Sequence, residues 1–289
     1  MPQDAVQPAP ARSYLYYRHK LPVRVMHWVN VVAMTILFMS GLQIFNAHAQ
    51  LYWGKSSYDG TPPVLTISSR VDSGGRVTGY TRVFGHEFDT TGVLGASKAA
   101  NGQMARAGFP SWITIPGSKW LSMARSWHFF LAWLFVLNGI AYVLYAIVSR
   151  HLARDLAPTG KDLKSIGASI KDHLLFRHSS GEAAKRYNVL QKFAYLLVIF
   201  VLLPLVILMG LAMSPWVNSL WPGWVDIFGG RQAARTIHFV AAWLLVAFVL
   251  IHVFEVIITG LWNNLRSMVT GRYRVTAAVT PMSGVSAHE

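Results

Sequence analysis

Residues 236–261 read TIHFVAAWLLVAFVLIHVFEVIITGL, an apolar run whose only ionisable side chains are two histidines and one glutamate. As a helix the run is about 39 Å long, enough to cross a hydrocarbon core of about 30 Å. His238 and His252 lie 14 residues apart, roughly 21 Å along the axis and nearly four whole turns, so both imidazoles project from one face. The run predicts a membrane-spanning helix with two histidines, His238 and His252, at different depths in the bilayer.

Three further windows, residues 25–46, 126–148 and 193–214, are equally apolar and long enough to span a bilayer. The chain is 53% hydrophobic and 13% charged, whereas soluble domains carry about a quarter charged residues. Glu255 is the only charged residue inside the four windows. We therefore predict an all-α integral membrane protein, a four-helix transmembrane bundle.

The basic residues predict the topology of the bundle. They are dense in the tail 1–24 and in the loop between the second and third windows. By the positive-inside rule both segments are cytoplasmic, as is the tail 262–289, in a bacterial inner-membrane protein. The membrane domain is then 25–261, with its fourth span at 236–261. The formal charge of +14 is explained by topology, and no nucleic-acid partner is expected.

Residues 47–121, here called the outer loop, separate the first two windows and are expected in the periplasm, because long loops translocate regardless of charge. The loop is rich in Gly, Ser, Thr and aromatic residues and has short β-prone runs such as 64–67. A segment of this length is usually functional or disordered. We predict a small ordered cap with little helix that docks a partner, and loosely structured residues after the fourth span.

Histidine is the metal ligand that this chain offers in quantity. It has eleven histidines and no cysteine, which excludes iron–sulfur clusters, thiolate metal sites, covalently attached haem and disulfides. Four histidines fall within or at the edges of the windows, and the others lie in tails and loops, where a solvated surface role is expected. The four are His27, His128, His238 and His252.

Depth sorts these four histidines into two pairs. His27 lies at the cytoplasmic end of the first span and pairs in depth with His252, which gives an inner pair. His128 and His238 lie near the outer ends of their spans and give an outer pair. Bis-histidine ligation of haem iron between facing helices uses such pairs. We predict two b-type haems, one for each pair, although hydrogen-bonded packing remains the alternative for any single histidine.

Other residues in or beside the spans fit this reading without requiring it. The glycines leave room for a macrocycle or allow close helix packing; they are Gly41, Gly139 and Gly210. The arginines pair with haem propionates or anchor the helices at the interface; they are Arg24 for the inner haem, and Arg125, Arg231 and Arg235 for the outer haem. Glu255, one turn beyond His252, relays protons to a quinone or pairs with an arginine.

The motifs around the histidines resemble a known superfamily. Arg24-Val25-Met26-His27-Trp28, Trp127-His128-Phe129-Phe130 and the spacing of His238 and His252 resemble the di-haem cytochrome b subunits of formate dehydrogenases, nickel–iron hydrogenases and thiosulfate reductases. The stretches 88–95 (FDTTGVLG) and 109–116 (FPSWITIP) are most similar to the thiosulfate-reductase branch. The resemblance covers most of residues 18–270.

That resemblance implies a periplasmic catalytic partner, a molybdopterin enzyme before a hydrogenase, sometimes joined through an iron–sulfur subunit. The chain would then anchor this partner in the membrane and exchange electrons with the quinone pool. One alternative is a stand-alone, superoxide-oxidising cytochrome linked to quinone, which would have no evident use for the outer loop. Another is a haem-free scaffold or transporter, which would be colourless.

Overall fold

The computed structural model describes residues 12–57, 60–99, 101–117, 119–175 and 187–277. The chain divides into two compact units. One, here called the central unit, comprises Met26–Val143 and Leu197–Val249. The other, the terminal unit, comprises Met1–Val25, Leu144–Leu196 and Leu250–Glu289.

Among the described residues, four helices are long and apolar enough to cross a membrane, as predicted. They are α1 (Leu21–Asn46), α2 (Leu121–Val148), the third span Val189–Ala212, and the helix Arg231–Ile258, which is α8 in chain order. Each has 24 to 28 residues and is therefore about 36–42 Å long. The shorter helices are α3 (Gly160–Lys164), α4 (Ile166–Leu174), α7 (Pro215–Leu220) and α9 (Leu261–Thr270).

The predicted windows begin four or five residues too late. Each window starts just after a basic residue, and the helix in the structure begins three or four residues before that basic residue. The four basic residues are Arg24, Arg125, Lys192 and Arg235. Charge marks where the apolar run ends but does not end the helix, because long basic side chains can extend toward water from a continuous backbone. The third and fourth helices also end two and three residues before the predicted limits, 214 and 261.

The third span is irregular at its middle. It consists of α5 (Val189–Leu197), a π-helical turn at Val198–Leu202, and α6 (Leu203–Ala212). Pro204 is the second residue of α6. It has no N–H to donate to the preceding turn, and its ring crowds the carbonyl four residues earlier. A wider turn just before the proline is a recognised response to that loss.

Small and branched apolar residues pack the spans of the central unit. Ala33 on α1 is fully buried and packs in a cluster with Leu131 and Phe135 of α2, against which Leu203 of α6 also lies. A polar contact joins the same two helices: Asn138 Nδ2 donates to Asn30 Oδ1 at 2.7 Å and to the carbonyl oxygen of Met26 at 2.9 Å. These contacts hold α1 against α2, the helices that carry His27 and His128.

The expectation of an all-α fold holds for the spans but not for the outer loop, which contains strands. Four form an antiparallel sheet in the order β2-β3-β4-β5, and two form a separate hairpin. The strands are β2 (Gln50–Leu51), β3 (Leu65–Val71), β4 (Val77–Val83), β5 (His86–Asp89), β6 (Gly95–Lys98) and β7 (Met104–Ala107). Short β-prone runs separated by glycine turns favour hairpins here.

The outer loop is ordered because it has a core of its own against α1. Leu42 and Phe45 of α1 pack with Leu51, Ile67 and Phe109 of the loop, and each of these five side chains is at most 5% exposed. At the end of α1, Asn46 Oδ1 accepts from the backbone N–H of Phe109, and Asn46 Nδ2 donates to the carbonyl oxygen of that residue. The predicted cap is therefore a β-structure built onto the first span.

The terminal unit corrects the expectation that the chain is loosely structured beyond the fourth span. Strand β1 (Arg12–Tyr17) pairs antiparallel with β8 (Arg272–Ala277), and α9 immediately precedes β8. Tyr273 and Val275 alternate into the buried face of β8, as a half-buried strand requires. The guanidinium of Arg18 lies 4.8 Å from the ring centroid of Tyr273. Residues 1–11 and 278–289, also predicted as tail, lie outside the described residues.

An ion pair joins α3 to α5. The Lys192 ammonium, whose residue is 8% exposed, lies 2.9 Å from Asp162 Oδ2, and the same carboxylate accepts from the backbone N–H of Thr159 at 2.8 Å. The Thr159 hydroxyl in turn accepts from the Asp162 N–H, which completes a capping box at the start of α3. The Thr159 and Lys192 hydrogen bonds lower the pKa of Asp162 to about 2.

Candidate functional site

The structure brings the predicted outer histidines together. His128 is the eighth residue of α2 and His238 the eighth of α8, and both lie in the central unit. Their ring centroids are 6.3 Å apart, with the ring planes at 63°. An imidazole–metal bond is about 2 Å long and each ring adds about 1 Å from its centre to the nitrogen, so two rings that share one metal have centroids about 6 Å apart. The separation therefore fits bis-histidine ligation.

Backbone carbonyl groups orient both rings. His128 Nδ1 lies 3.1 Å from the carbonyl oxygen of Leu37 on α1, and His238 Nδ1 lies 2.8 Å from that of Val206 on α6. A carbonyl oxygen only accepts, so each Nδ1 must carry the proton. In this tautomer Nε2 carries the lone pair that can bind a metal, and the hydrogen bond at Nδ1 fixes the orientation of the ring.

Glycine allows each ring to lie close to the neighbouring helix. A Cβ atom on Gly41 would lie 3.4 Å from His128 Cε1, and one on Gly210 would lie 3.5 Å from His238 Cε1. Each glycine follows its carbonyl partner by four residues, so the carbonyl and the glycine form one notch on the helix. Gly139 has no atom within 4 Å of such a Cβ and belongs to no notch. At Gly41 and Gly210, the imidazole rings of His128 and His238 occupy the space that a larger side chain would fill.

Ser40 makes the two notches unequal. The residue is fully buried, and its hydroxyl lies 2.6 Å from the carbonyl oxygen of Ile36 and 3.1 Å from His128 Nδ1. The hydroxyl donates to the carbonyl and so accepts from the imidazole N–H, which His128 shares between Ser40 and Leu37. The only hydrogen bond that the described residues make to the His238 ring is with Val206. We did not predict Ser40 from the sequence, although a serine inside an apolar run is a visible signal.

A repeated motif underlies the symmetry of this site. Residues 124–129 read ARSWHF and residues 234–239 read ARTIHF, so each ligand candidate follows an arginine by three residues and precedes a phenylalanine. Ala124 and Ala234, at the start of the two motifs, are both fully buried. In α2 and α8 the motif places histidine at the same position of the helix. This internal similarity is a second signal in the sequence, besides depth, that pairs His128 with His238.

The inner pair stays a prediction. His27 is in α1 and belongs to the central unit, where its ring lies edge-on to Trp28 with a centroid separation of 5.5 Å. His252 is in α8 and belongs to the terminal unit. In the described part of the chain, no three or more His, Cys, Asp or Glu side chains gather where a metal ion could bind.

The predicted arginines differ in their surroundings. Arg235 donates to the carbonyl oxygen of His48 at 2.5 Å, and Arg125 lies 5.7 Å from the ring centroid of Phe129. Arg24 donates to the carbonyl oxygen of Val269 at 2.5 Å, and its buried Nε has no partner among the described residues. Arg231 is exposed at the start of α8. A propionate role for Arg24, Arg125 and Arg235 remains a prediction.

Glu255, the carboxylate inside the fourth span, lies near a residue of the loop between α2 and α5. His173 Nε2 on α4 is 3.3 Å from Glu255 Oε1, and both residues belong to the terminal unit. The glutamate side chain is 18% exposed and that of the histidine 45%. This contact connects the span to an accessible titratable side chain, which the sequence did not indicate.

Comparison with known proteins places this geometry in a family context. A family model described as prokaryotic cytochrome b561 matches residues 18–271. The chain is 30% identical over 239 residues to a putative protein-methionine-sulfoxide reductase subunit, YedZ1, of Azospira oryzae, covering 83% of this chain and 89% of that protein. It is 22% identical over 269 residues to a probable Ni/Fe-hydrogenase B-type cytochrome subunit of Cupriavidus necator, with 88% and 85% covered. No solved structure matches.

These matches confirm the cytochrome b superfamily that the histidine motifs indicated. They cover nearly the whole region over which the motifs resemble that superfamily, residues 18–270. The two relatives are named for a methionine-sulfoxide reductase and a hydrogenase, so assignment to the thiosulfate-reductase branch stays a prediction.

Proposed function

This chain belongs to the prokaryotic cytochrome b561 family, and from that premise we propose that it is a di-haem subunit carrying electrons between the quinone pool and a periplasmic oxidoreductase. Membership implies that it binds haem b, and the four apolar helices make it a multi-pass membrane protein. Its relatives are subunits of oxidoreductase complexes. The number of haems, the quinone and the partner are the parts that we add.

The observation that carries this proposal is the outer histidine pair. His128 and His238 present two imidazoles at the separation that one shared metal requires, each held through Nδ1 by a carbonyl oxygen. Bound there, a haem supplies reversible one-electron transfer at iron. The chain's own contribution is to fix the two rings and to exclude water with apolar helices, and His128 and His238 would together hold the haem.

His27 and His252 would hold the second haem, on the argument of depth given by the sequence. His252 follows His238 by nearly four turns of the same helix, so α8 contributes one ligand at each level. The two histidine positions on α8 are about 21 Å apart along the helix axis, so haems held at these levels would supply one-electron carriers at two depths of the bilayer. Arg125 and Arg235 each lie three residues before an outer ligand, where a guanidinium could pair with a propionate. Arg24 would do the same for the inner haem.

A pyridine haemochrome assay on the purified chain tests the haem count, and reduction of the chain by a soluble quinol tests the electron source. The proposal predicts two haems b per chain and rapid reduction by the quinol. A colourless protein would instead support a haem-free scaffold or transporter. A haem-loaded chain that the quinol does not reduce would contradict the link to the quinone pool.

The catalytic partner is inferred to dock on the outer loop. The named relatives are a subunit of a methionine-sulfoxide reductase and a cytochrome subunit of a hydrogenase. For this chain a molybdopterin enzyme is our first expectation as the partner, with or without an iron–sulfur subunit between them. The loop exposes several large apolar side chains, and aromatic residues are enriched at protein–protein interfaces. The most exposed are Phe84 at 77% and Trp112 at 74%.

Point variants test docking better than removal of the loop, because Ile67 and Phe109 belong to the buried cluster on α1. Phe84→Ser and Trp112→Ser should weaken co-purification of the partner while the haem spectrum stays unchanged. Leu163→Ser, an exposed apolar position on α3, is the matched control and should leave association intact. Unaltered association in both loop variants would place the docking site away from these two residues. If no oxidoreductase co-purifies with the wild-type chain, the stand-alone cytochrome that oxidises superoxide would be favoured instead.

A further inference from the structure

A cleft in the terminal unit has no role in the proposed electron path. It lies between α9 and β8, has a volume of about 530 Å³, and is lined by Trp262, Asn263, Arg266, Arg274 and Thr276. Arg274 and Thr276 are two residues apart on β8, so they share the exposed face of the strand. The cleft therefore has two guanidinium groups, one hydroxyl and one indole.

Asn263 holds the cleft in shape. Its Nδ2 donates to the carbonyl oxygen of Arg274 at 2.9 Å, and its Oδ1 accepts from the backbone N–H of the same residue at 2.8 Å. The same Oδ1 accepts from Arg266 Nη2 at 2.6 Å. One amide therefore fixes the strand against the helix and also directs the guanidinium of Arg266, so the two charges occupy defined positions.

The charges of this cleft are not compensated by the part of the chain that the structure describes. Neither Arg266 nor Arg274 forms an ion pair with a carboxylate in that part, and the buried Nε of Arg266 has no hydrogen-bond partner there. A buried donor without a partner is costly, so it indicates that an acceptor from outside the described residues completes the site. Two guanidinium groups favour an anion with several oxygen atoms.

The position of α9 indicates where that anion comes from. The helix begins at Leu261, three residues after α8 ends, so it lies where the fourth span leaves the bilayer. Trp262 and Val269 are seven residues apart, on one face of α9, and are 81% and 64% exposed. Exposed tryptophan and aliphatic residues at this level are typical of a helix that rests in the membrane interface.

We propose that this cleft binds the phosphodiester headgroup of an anionic phospholipid. The guanidinium groups of Arg266 and Arg274 take the phosphate oxygens, the Thr276 hydroxyl contacts the polar headgroup, and Trp262 lies at the boundary with the acyl chains. The lipid would fasten α9, and through Asn263 the strand β8 and its partner β1, to the membrane surface.

The test uses the full haem-loaded chain in a neutral detergent, with bound lipid measured by native mass spectrometry. Phosphatidylglycerol, phosphatidylcholine and inorganic phosphate are added separately. Phosphatidylglycerol should bind one per chain, and Arg266→Gln and Arg274→Gln should each weaken it about fivefold or more, since one basic residue near an anionic surface contributes about that factor. Arg272→Gln removes the same charge from the same strand outside the cleft and should change affinity less than about twofold.

Equal binding of phosphatidylcholine, or undiminished phosphatidylglycerol binding in Arg274→Gln, would overturn the proposal. Binding of inorganic phosphate with the same arginine dependence, but not of phosphatidylglycerol, would make the occupant a free anion and the lipid assignment wrong. Arg274 is exposed, so its variant remains informative even if Arg266→Gln does not fold. The haem absorption spectrum of each variant serves as the check on folding.

Discussion

Replacing the glycines of the two notches by valine should loosen the haem between His128 and His238. A Cβ on Gly41 or Gly210 already touches the imidazole, at 3.4 and 3.5 Å from Cε1, which is ordinary van der Waals contact. Alanine therefore fits at both positions. It should also stabilise the helix by up to about 1 kcal/mol, because glycine is the poorer helix former.

Valine adds two carbons about 1.5 Å beyond that Cβ, with side-chain rotation restricted in a helix. Overpacking of this kind costs about 1–3 kcal/mol. Since about 1.4 kcal/mol is a factor of ten, apparent haem affinity should fall roughly 5- to 140-fold. The loss concerns one haem only, because both notches serve the same histidine pair.

The assay is the haem-to-chain ratio by pyridine haemochrome in wild type and in the variants Gly41→Ala, Gly41→Val, Gly210→Ala and Gly210→Val. The alanine variants should keep about two haems and the valine variants should approach one, by the reasoning on overpacking. Gly139→Val is the matched control, since its Cβ meets no atom within 4 Å, and it should behave as wild type. Full haem content in both notch valine variants, or equal loss in the control, would refute the notch argument.

Three further outcomes are expected. Ser40→Ala removes a hydrogen-bond acceptor from His128 Nδ1, so the imidazole donates less electron density to iron. The midpoint potential of one haem should then rise by roughly 20–60 mV in a redox titration, and an unchanged potential would show that Ser40 does not position His128. Because the chain has no cysteine, single cysteines can report topology: in spheroplasts an impermeant maleimide should label Ser73→Cys in the outer loop but not Ala168→Cys on α4, and the reverse pattern would invert the orientation. The pKa of Asp162 is lowered to about 2 from 3.8, so its stabilising contribution is present above about pH 4 and is lost as pH falls through about 2; Asp162→Asn should therefore melt earlier than wild type at pH 6, with a smaller difference near pH 2.

The sequence predicted the spans because a hydrocarbon core allows few alternatives to about 20 apolar residues. It placed the first residues of the spans too late, because a basic residue such as Arg24 or Lys192 limits the apolar window but lies inside the helix. The pairing of β1 with β8 could not be foreseen: Arg12 pairs with Ala277, at the other end of the chain, and neither strand has a local signal for its partner. The short strands of the outer loop depend on packing against α1 in the same way.

The outer site shows a similar division. Histidine at membrane depth is a strong signal, and the 14-residue spacing along α8 is enough to define two levels. The groups that orient the rings are carbonyl oxygens of Leu37 and Val206, and a backbone carbonyl has no signature in the sequence. The sequence does contain the repeat ARSWHF and ARTIHF, which places His128 and His238 at equivalent positions of two helices. The structure shows that the two rings lie side by side.

We propose that four histidines hold two haems in the pairs His128–His238 and His27–His252. The most direct measurement is a redox titration, with haem quantification, of wild type and of the four histidine-to-alanine variants. Wild type should contain two haems per chain, and His128→Ala and His238→Ala should share one residual spectrum and midpoint potential. His27→Ala and His252→Ala should share another, since an axial ligand sets both retention and potential. A residual spectrum common to His27→Ala and His128→Ala, or fewer than two haems in fully loaded wild type, would contradict the account.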